Sequence, residues 1–85
     1  MANVEIYFAP WCPYSRRAKQ LLDDKQINYT LIDVDTDPSE RDVMQQRGAG
    51  KSIPQIFIDN VPIGGCDDIY ALEASGKLEK LLSNK

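Results

Sequence analysis

The stretch Val4-Glu5-Ile6-Tyr7-Phe8-Ala9-Pro10-Trp11-Cys12-Pro13-Tyr14-Ser15-Arg16-Arg17-Ala18 decides the architecture. Val4 to Phe8 is rich in β-branched and aromatic residues, the composition of a strand. Ala9-Pro10-Trp11-Cys12-Pro13 breaks it, and Pro13 suits the first turn of a helix, where a missing N–H costs nothing. Tyr14, Ala18, Leu21 and Leu22 follow at i, i+4, i+7 and i+8, which predicts an amphipathic helix to about Lys25. Tyr29 to Val34 reads as a second strand. Strand, helix and strand in this order imply a parallel pair with a right-handed crossover.

Downstream, Asp37-Pro38-Ser39-Glu40 predicts a helix start. Asp37 caps, Pro38 takes the first helical position, and Glu40 stands where a capping box wants an acid. That helix, to Gln46, has few apolar residues and should lie on the surface; Gly48-Ala49-Gly50 ends it. Gln55 to Ile58 and Val61 to Ile63 read as a hairpin about a tight Asp59-Asn60 turn, with Pro62 marking an edge strand. Asp67 or Asp68 caps a helix through Ile69, Leu72 and Ala74, closed by Gly76. Leu78, Leu81 and Leu82 make a last short helix. The predicted class is α/β, a four-stranded mixed sheet with helices on both faces, formed by a single domain over 1–85.

Composition removes several functions. The chain has 85 residues and is 42% hydrophobic, enough for one modest core. Thirteen Asp plus Glu against ten Lys plus Arg give a net charge of −3, so no nucleic-acid partner is expected. No apolar run approaches the roughly 20 residues that span a membrane, so no membrane association is expected. Met1-Ala2-Asn3-Val4-Glu5 lacks a basic patch before an apolar stretch, so no signal peptide is expected and the location is read as cytoplasmic. Histidine is absent, which removes Ser-His and Cys-His pairs and His-containing zinc sites. The two cysteines, Cys12 and Cys66, are too few for a disulfide scaffold or a four-cysteine zinc site.

Cys12 stands between a strand end and a helix start, where backbone N–H groups and the helix dipole favour an anion. A thiol held there loses its proton more readily, and the thiolate is the nucleophile. Arg16 and Arg17 add positive potential. The competing reading is a small buried hydrophobe under the loop.

Cys12-Pro13-Tyr14-Ser15 is a Cys-x-x-Cys redox motif whose second cysteine is replaced by serine. With Ser52-Ile53-Pro54 and Gly64-Gly65-Cys66-Asp67-Asp68, in this order on this β/α pattern, it makes the chain resemble the glutaredoxins of the thioredoxin superfamily, above all bacterial ones. The resemblance covers nearly the whole chain and implies a thioredoxin-like fold. It also implies a glutathione-dependent thiol–disulfide oxidoreductase that reduces protein–glutathione mixed disulfides through Cys12 by a monothiol mechanism. Glutathione is then a cosubstrate, the partners are glutathionylated proteins, a monomer is expected and no metal is expected.

The resemblance further implies that Tyr14, Arg41, Ile53, Pro54, Gly65, Cys66, Asp67 and Asp68 contact glutathione. Pro54 would be cis, against a prior of about 5% for an X–Pro bond. Ile53 would pair its backbone with the cysteinyl unit of glutathione. From the residues alone, Gly64-Gly65 before Asp67-Asp68 reads as a flexible turn followed by a helix cap; the resemblance implies that it is also a clamp for the γ-glutamyl zwitterion. Cys66 is read as a bystander thiol.

Two positions depart from the family pattern. Where the family commonly has a lysine three residues before the reactive cysteine, this chain has Ala9. The glycyl carboxylate of glutathione is then left to Arg41, with Arg47 and Lys51 of lower weight. At the second, Ser15 excludes an intramolecular disulfide with Cys12. Two alternatives stay open: a [2Fe–2S] carrier ligated by Cys12 and glutathione in a dimer, disfavoured by Pro13, and a Cys-to-Ser variant that traps the glutathione mixed disulfide.

Overall fold

A computed structural model describes residues 2–83. Among them the chain runs β1 (Val4–Phe8), α1 (Pro13–Asp24), β2 (Thr30–Asp33), α2 (Ser39–Gln46), β3 (Gln55–Ile58), β4 (Val61–Gly64), α3 (Cys66–Ser75) and α4 (Lys77–Leu82). The strands form one mixed sheet in the order β2-β1-β3-β4. β1 and β2 are parallel with Ile6 opposite Leu31; β1 and β3 are antiparallel with Ile6 opposite Ile56. β3 and β4 form the expected hairpin, and Asp59 and Asn60 both have positive φ, 52° and 68°, the conformation of a two-residue hairpin turn. Pro62 lies on the edge strand β4, where its missing N–H leaves no gap in the interior ladder.

Alternation along the strands builds two cores. Val4, Ile6, Phe8, Ile56 and Ile58 point to one face, where they meet Ala18 and Leu22 of α1, Ile69 of α3 and Leu78 of α4. Tyr7 and Phe57 point to the other, where they meet Val34, just past β2, and Met44 of α2. The sheet is therefore covered on both sides, as the pattern predicts. Met44 is the one buried residue of α2, which fits its polar sequence.

One polar cluster holds α2 to the sheet. The Arg47 guanidinium donates to both carboxylate oxygens of Glu5, at 2.7 and 3.2 Å, and to the Tyr7 hydroxyl at 2.8 Å. It also lies 4.0 Å from the centre of the Phe57 ring. Charge-assisted bonds of this kind contribute roughly 1.5–3 kcal/mol when sheltered from water.

Several local expectations are corrected. Tyr14 is 56% exposed, and Ser15 instead lies buried beside Ala18 and Leu22 on the inner face of α1. The α2 capping box does not form: the Asp37 N–H donates to the Asp33 carbonyl, so it is not free for Glu40. Asp37 does accept from the Ser39 N–H at 3.2 Å and its hydroxyl at 2.6 Å. α3 begins at Cys66, earlier than Asp67 or Asp68. Gly65 is its capping residue, and Asp68 reaches back to accept from the Gly65 N–H at 3.0 Å. Ala74 is exposed, while Gly76 closes α3 with φ 78° as expected.

Candidate active site

The loop between β1 and α1 delivers Cys12 beside Ile53, which lines a cavity of about 490 Å³; Cys12 itself is not on the lining. Cys12 caps α1 in extended conformation, with φ −85° and ψ 117°. Its N–H donates to the Ala9 carbonyl at 3.1 Å, and its carbonyl accepts from the Arg16 N–H at 3.1 Å. These bonds close a tight turn and seat the sulfur over the first turn of α1. The side chain is only 7% exposed, and the thiol faces the Ile53 carbonyl oxygen at 3.9 Å.

Ser52, Ile53 and Pro54 form one wall of the cavity, Tyr14 another, and the segment from Gly64 to Asp68 the third. The Ile53–Pro54 bond is cis, as the resemblance implies. Close packing joins the walls: a Cβ on Gly65 would come within 3.1 Å of the Pro54 carbonyl oxygen. The cavity thus brings together Tyr14, Ile53, Pro54, Gly65, Cys66, Asp67 and Asp68. Arg41 is not on its lining; its guanidinium donates to the Lys51 carbonyl at 3.3 Å, beside the Ser52-Ile53-Pro54 wall. Arg47 is withdrawn from any ligand role by Glu5 and Tyr7. Ala9 is buried among Tyr7, Val34 and Met44, so an apolar contact stands where the family commonly has a lysine.

Gln55 belongs to the site and was missed in the sequence, where it reads as the polar start of an apolar strand. It is buried, lines the cavity, and donates to the Ser52 carbonyl at 2.9 Å, which fixes the bend ahead of Pro54.

The two thiols differ in character. For Cys12, burial is the largest influence and opposes ionisation. It is outweighed by hydrogen bonds to the sulfur from the Ser15 hydroxyl and from the Ser15 and Tyr14 N–H groups, with the Arg16 charge adding. The Cys12 thiol therefore sits below its ordinary value. Ser15 is itself held, its hydroxyl accepting from the Ala9 N–H at 3.4 Å. Burial pushes the Cys66 thiol up; Arg17 opposes this, while Asp67 and Cys12 add to it. Arg17 thus bears on Cys66, and of the two expected arginines only Arg16 bears on Cys12.

A pH dependence follows. Thiolate, not thiol, reacts with an alkylating agent. Near neutral pH Cys12 should be alkylated well before Cys66, and raising the pH should close the gap as Cys66 ionises. Ser15→Ala should move the Cys12 midpoint upward, because a hydrogen bond to the thiolate is lost. Site-resolved alkylation across pH, read by peptide mass, checks both; an unmoved midpoint in Ser15→Ala would remove the hydroxyl from the account.

The chain resembles known proteins over this whole frame. A family model described as Glutaredoxin matches residues 4–63. Glutaredoxin 3 of Escherichia coli strain K12 is 49% identical over 82 residues, covering 96% of this chain and 99% of that protein. Among solved structures, the glutaredoxin of Brucella melitensis has a TM-score of 0.83 at 50% identity, over 96% of this chain and 89% of that one. A buckwheat glutaredoxin–glutathione complex has a TM-score of 0.88 at 26% identity, over 96% of this chain and 77% of that one.

Proposed function

The chain belongs to the glutaredoxin family and is a glutathione-dependent disulfide oxidoreductase, and from that premise we propose that Cys12 alone carries the chemistry, by a monothiol mechanism acting on protein–glutathione mixed disulfides. The observation that carries this reading is the buried Cys12 thiol at the start of α1 facing the Ile53 carbonyl, with a serine, not a second thiol, three residues on at position 15.

The Cys12 thiolate attacks the glutathione sulfur of the mixed disulfide. A bond forms between the two sulfurs, the original disulfide breaks, and the protein cysteine leaves as thiolate and takes up a proton. A glutathione thiolate then attacks the glutathione sulfur held on Cys12, releasing glutathione disulfide and restoring the Cys12 thiolate. Each cycle consumes one glutathione thiol and one mixed disulfide, and yields one protein thiol and one glutathione disulfide. Ser15 cannot form a disulfide, so the second step must come from outside.

The cavity walls suit the three parts of glutathione. The Ile53 backbone pairs with the cysteinyl unit as a short added strand, which lays its sulfur beside Cys12. The first-turn N–H groups of Cys66 and Asp67 have no acceptor within α3 and meet the γ-glutamyl carboxylate. One oxygen of Asp68 is taken by the Gly65 N–H, so Asp67 is the better placed partner for the ammonium. Tyr14 closes the side of the cavity near the thiol. Arg41, held beside the wall by the Lys51 carbonyl, takes the glycyl carboxylate. In this reading the protein works as a cytoplasmic monomer on glutathionylated proteins, with no metal in the cycle.

The test is turnover of a glutathionylated peptide beside reduction of a peptide with an internal disulfide. The protein should act on the first and not the second. Ser15→Cys, nearly isosteric, should form an intramolecular disulfide with Cys12 and gain the second activity. Reduction of the internal disulfide by the unaltered chain, without action on the glutathionylated peptide, would reject the monothiol mechanism.

Arg41→Ala should weaken glutathione about two- to fivefold, the size of a partly exposed ion pair. The loss should shrink as salt rises. Titration calorimetry at low and high salt reads it; an unchanged affinity would place the glycyl carboxylate elsewhere.

A further inference from the structure

The thiol has a second neighbourhood, away from the cavity beside Ile53. Trp11 is 59% exposed, directly before a cysteine that is 7% exposed. An indole left open to water next to a reactive group is contact area available to whatever reaches that group. Beside it lies a groove of about 300 Å³ lined by Phe8, Pro10, Arg16, Lys19, Gln20 and Asp23. This groove shares no lining residue with the larger cavity, and Cys12 stands in the chain between Pro10 of one and Tyr14 of the other.

The charge around it is net positive, with Asp23 the acid at its end. From Ile6 to Leu22 the chain has Arg16, Arg17 and Lys19 and no carboxylate, although its net charge is −3. Arg16 is drawn toward the loop by the Pro10 carbonyl at 3.0 Å. Asp23, the one acid on the groove, is occupied by Lys19 at 2.9 Å and the Tyr29 hydroxyl at 2.7 Å. That ion pair offsets Lys19 as well, so the groove offers an apolar surface from Phe8 and Pro10 with one net positive charge, carried by Arg16.

We propose that Trp11 and the groove past Pro10, Arg16 and Lys19 seat the polypeptide half of the mixed disulfide and select segments with acidic residues beside the glutathionylated cysteine. This rests on the assignment of the Ile53 cavity to glutathione. With glutathione in that cavity, the polypeptide sulfur leaves in line, on the side of the glutathione sulfur opposite Cys12, and the surface free to meet the rest of that polypeptide outside the cavity includes Trp11 and the groove. The exposed indole supplies contact area and the cations supply choice and steering.

The experiment compares three substrates: a glutathionylated peptide with flanking glutamates, the same peptide with flanking lysines, and the small mixed disulfide of glutathione and cysteine. At low salt the acidic peptide should exceed the basic one in kcat/KM by about tenfold, and the ratio should fall with salt. Trp11→Ala should raise KM for the acidic peptide about five- to tenfold, the loss of one exposed aromatic contact. Lys19→Glu should bring the two peptides to within about twofold of each other. Both variants should turn over the small disulfide within about twofold of the unaltered chain. Equal rates on the two peptides, or a Trp11→Ala loss as large on the small disulfide as on the peptide, would overturn the proposal. Failure of the unaltered chain on the small disulfide would reject the glutathione assignment itself, and the proposal with it. Trp11 is the only tryptophan, so its emission reports the occupant directly. A blue shift on adding acidic peptide supports the proposal, whereas a shift with protein concentration alone means that a second copy covers the indole and overturns it.

Discussion

Replacing Cys12 with serine is expected to abolish turnover of glutathionylated substrates, by a factor on the order of a thousand or more, as loss of a covalent nucleophile does. The hydroxyl of a serine is not ionised near neutral pH and has no disulfide-exchange chemistry, so no part of the cycle survives. Folding should survive, because serine is nearly isosteric with cysteine in the buried cluster around Cys12 and Cys12→Ser keeps a donor toward the Ile53 carbonyl. Cys66→Ser should keep most of the activity. Its thiol is buried at the start of α3 and pushed up by that burial, so it is protonated and slow when Cys12 is ionised. Steady-state assays on the two variants, with circular dichroism as the folding control, separate the thiols. Substantial activity in Cys12→Ser would move the reactive centre, and loss confined to Cys66→Ser would move it to α3.

The sequence carried the scaffold because its signals are local and repeated. Pro13, the apolar spacing of α1, the Asp59-Asn60 turn and the edge proline each constrain backbone by short-range sterics, and they agree with one another. The site was less legible where long-range packing decides. Tyr14 has the periodicity of the inner face but points outward, and the small Ser15 takes the buried place because the Cys12 sulfur and the Ala9 N–H need a hydroxyl there. No spacing rule tells that Arg47 is consumed by Glu5 and Tyr7, 42 and 40 residues away, while Arg41 is left near the cavity. The cis bond at Pro54 came from resemblance alone, since an Ile-Pro pair by itself favours trans. Gln55 went unread because a polar residue at a strand end usually faces water.

Gly64→Ala is expected to cause the largest loss of stability outside the two cores, and to weaken glutathione at the same time. Gly64 has φ 121°, a region that side chains rarely enter, and this strain alone costs about 1–3 kcal/mol. A Cβ there would also lie 2.6 Å from Asp68 Cγ and 2.9 Å from Asp68 Cβ, closer than real carbons approach. Asp68 would have to swing away and give up the Gly65 N–H that it accepts at 3.0 Å. Losing a charge-assisted bond of this kind adds about 1.5–3 kcal/mol where it is sheltered, and less where it is wet. A combined loss near 3 kcal/mol lowers Tm by about 12–24 °C in a domain of this size. Gly76→Ala is the control. Its φ of 78° is also left-handed, but nothing lies within 4 Å of an added Cβ, so the backbone term of about 1 kcal/mol should stand alone and Tm should fall about 4–8 °C. Only Gly64→Ala displaces Asp68 at the mouth of the cavity, so only it should weaken glutathione. Thermal melts and a glutathione titration on both variants decide the matter. Equal losses of Tm would mean that backbone strain, not the collision with Asp68, governs this corner. An unchanged affinity in Gly64→Ala would take the start of α3 out of the glutathione site.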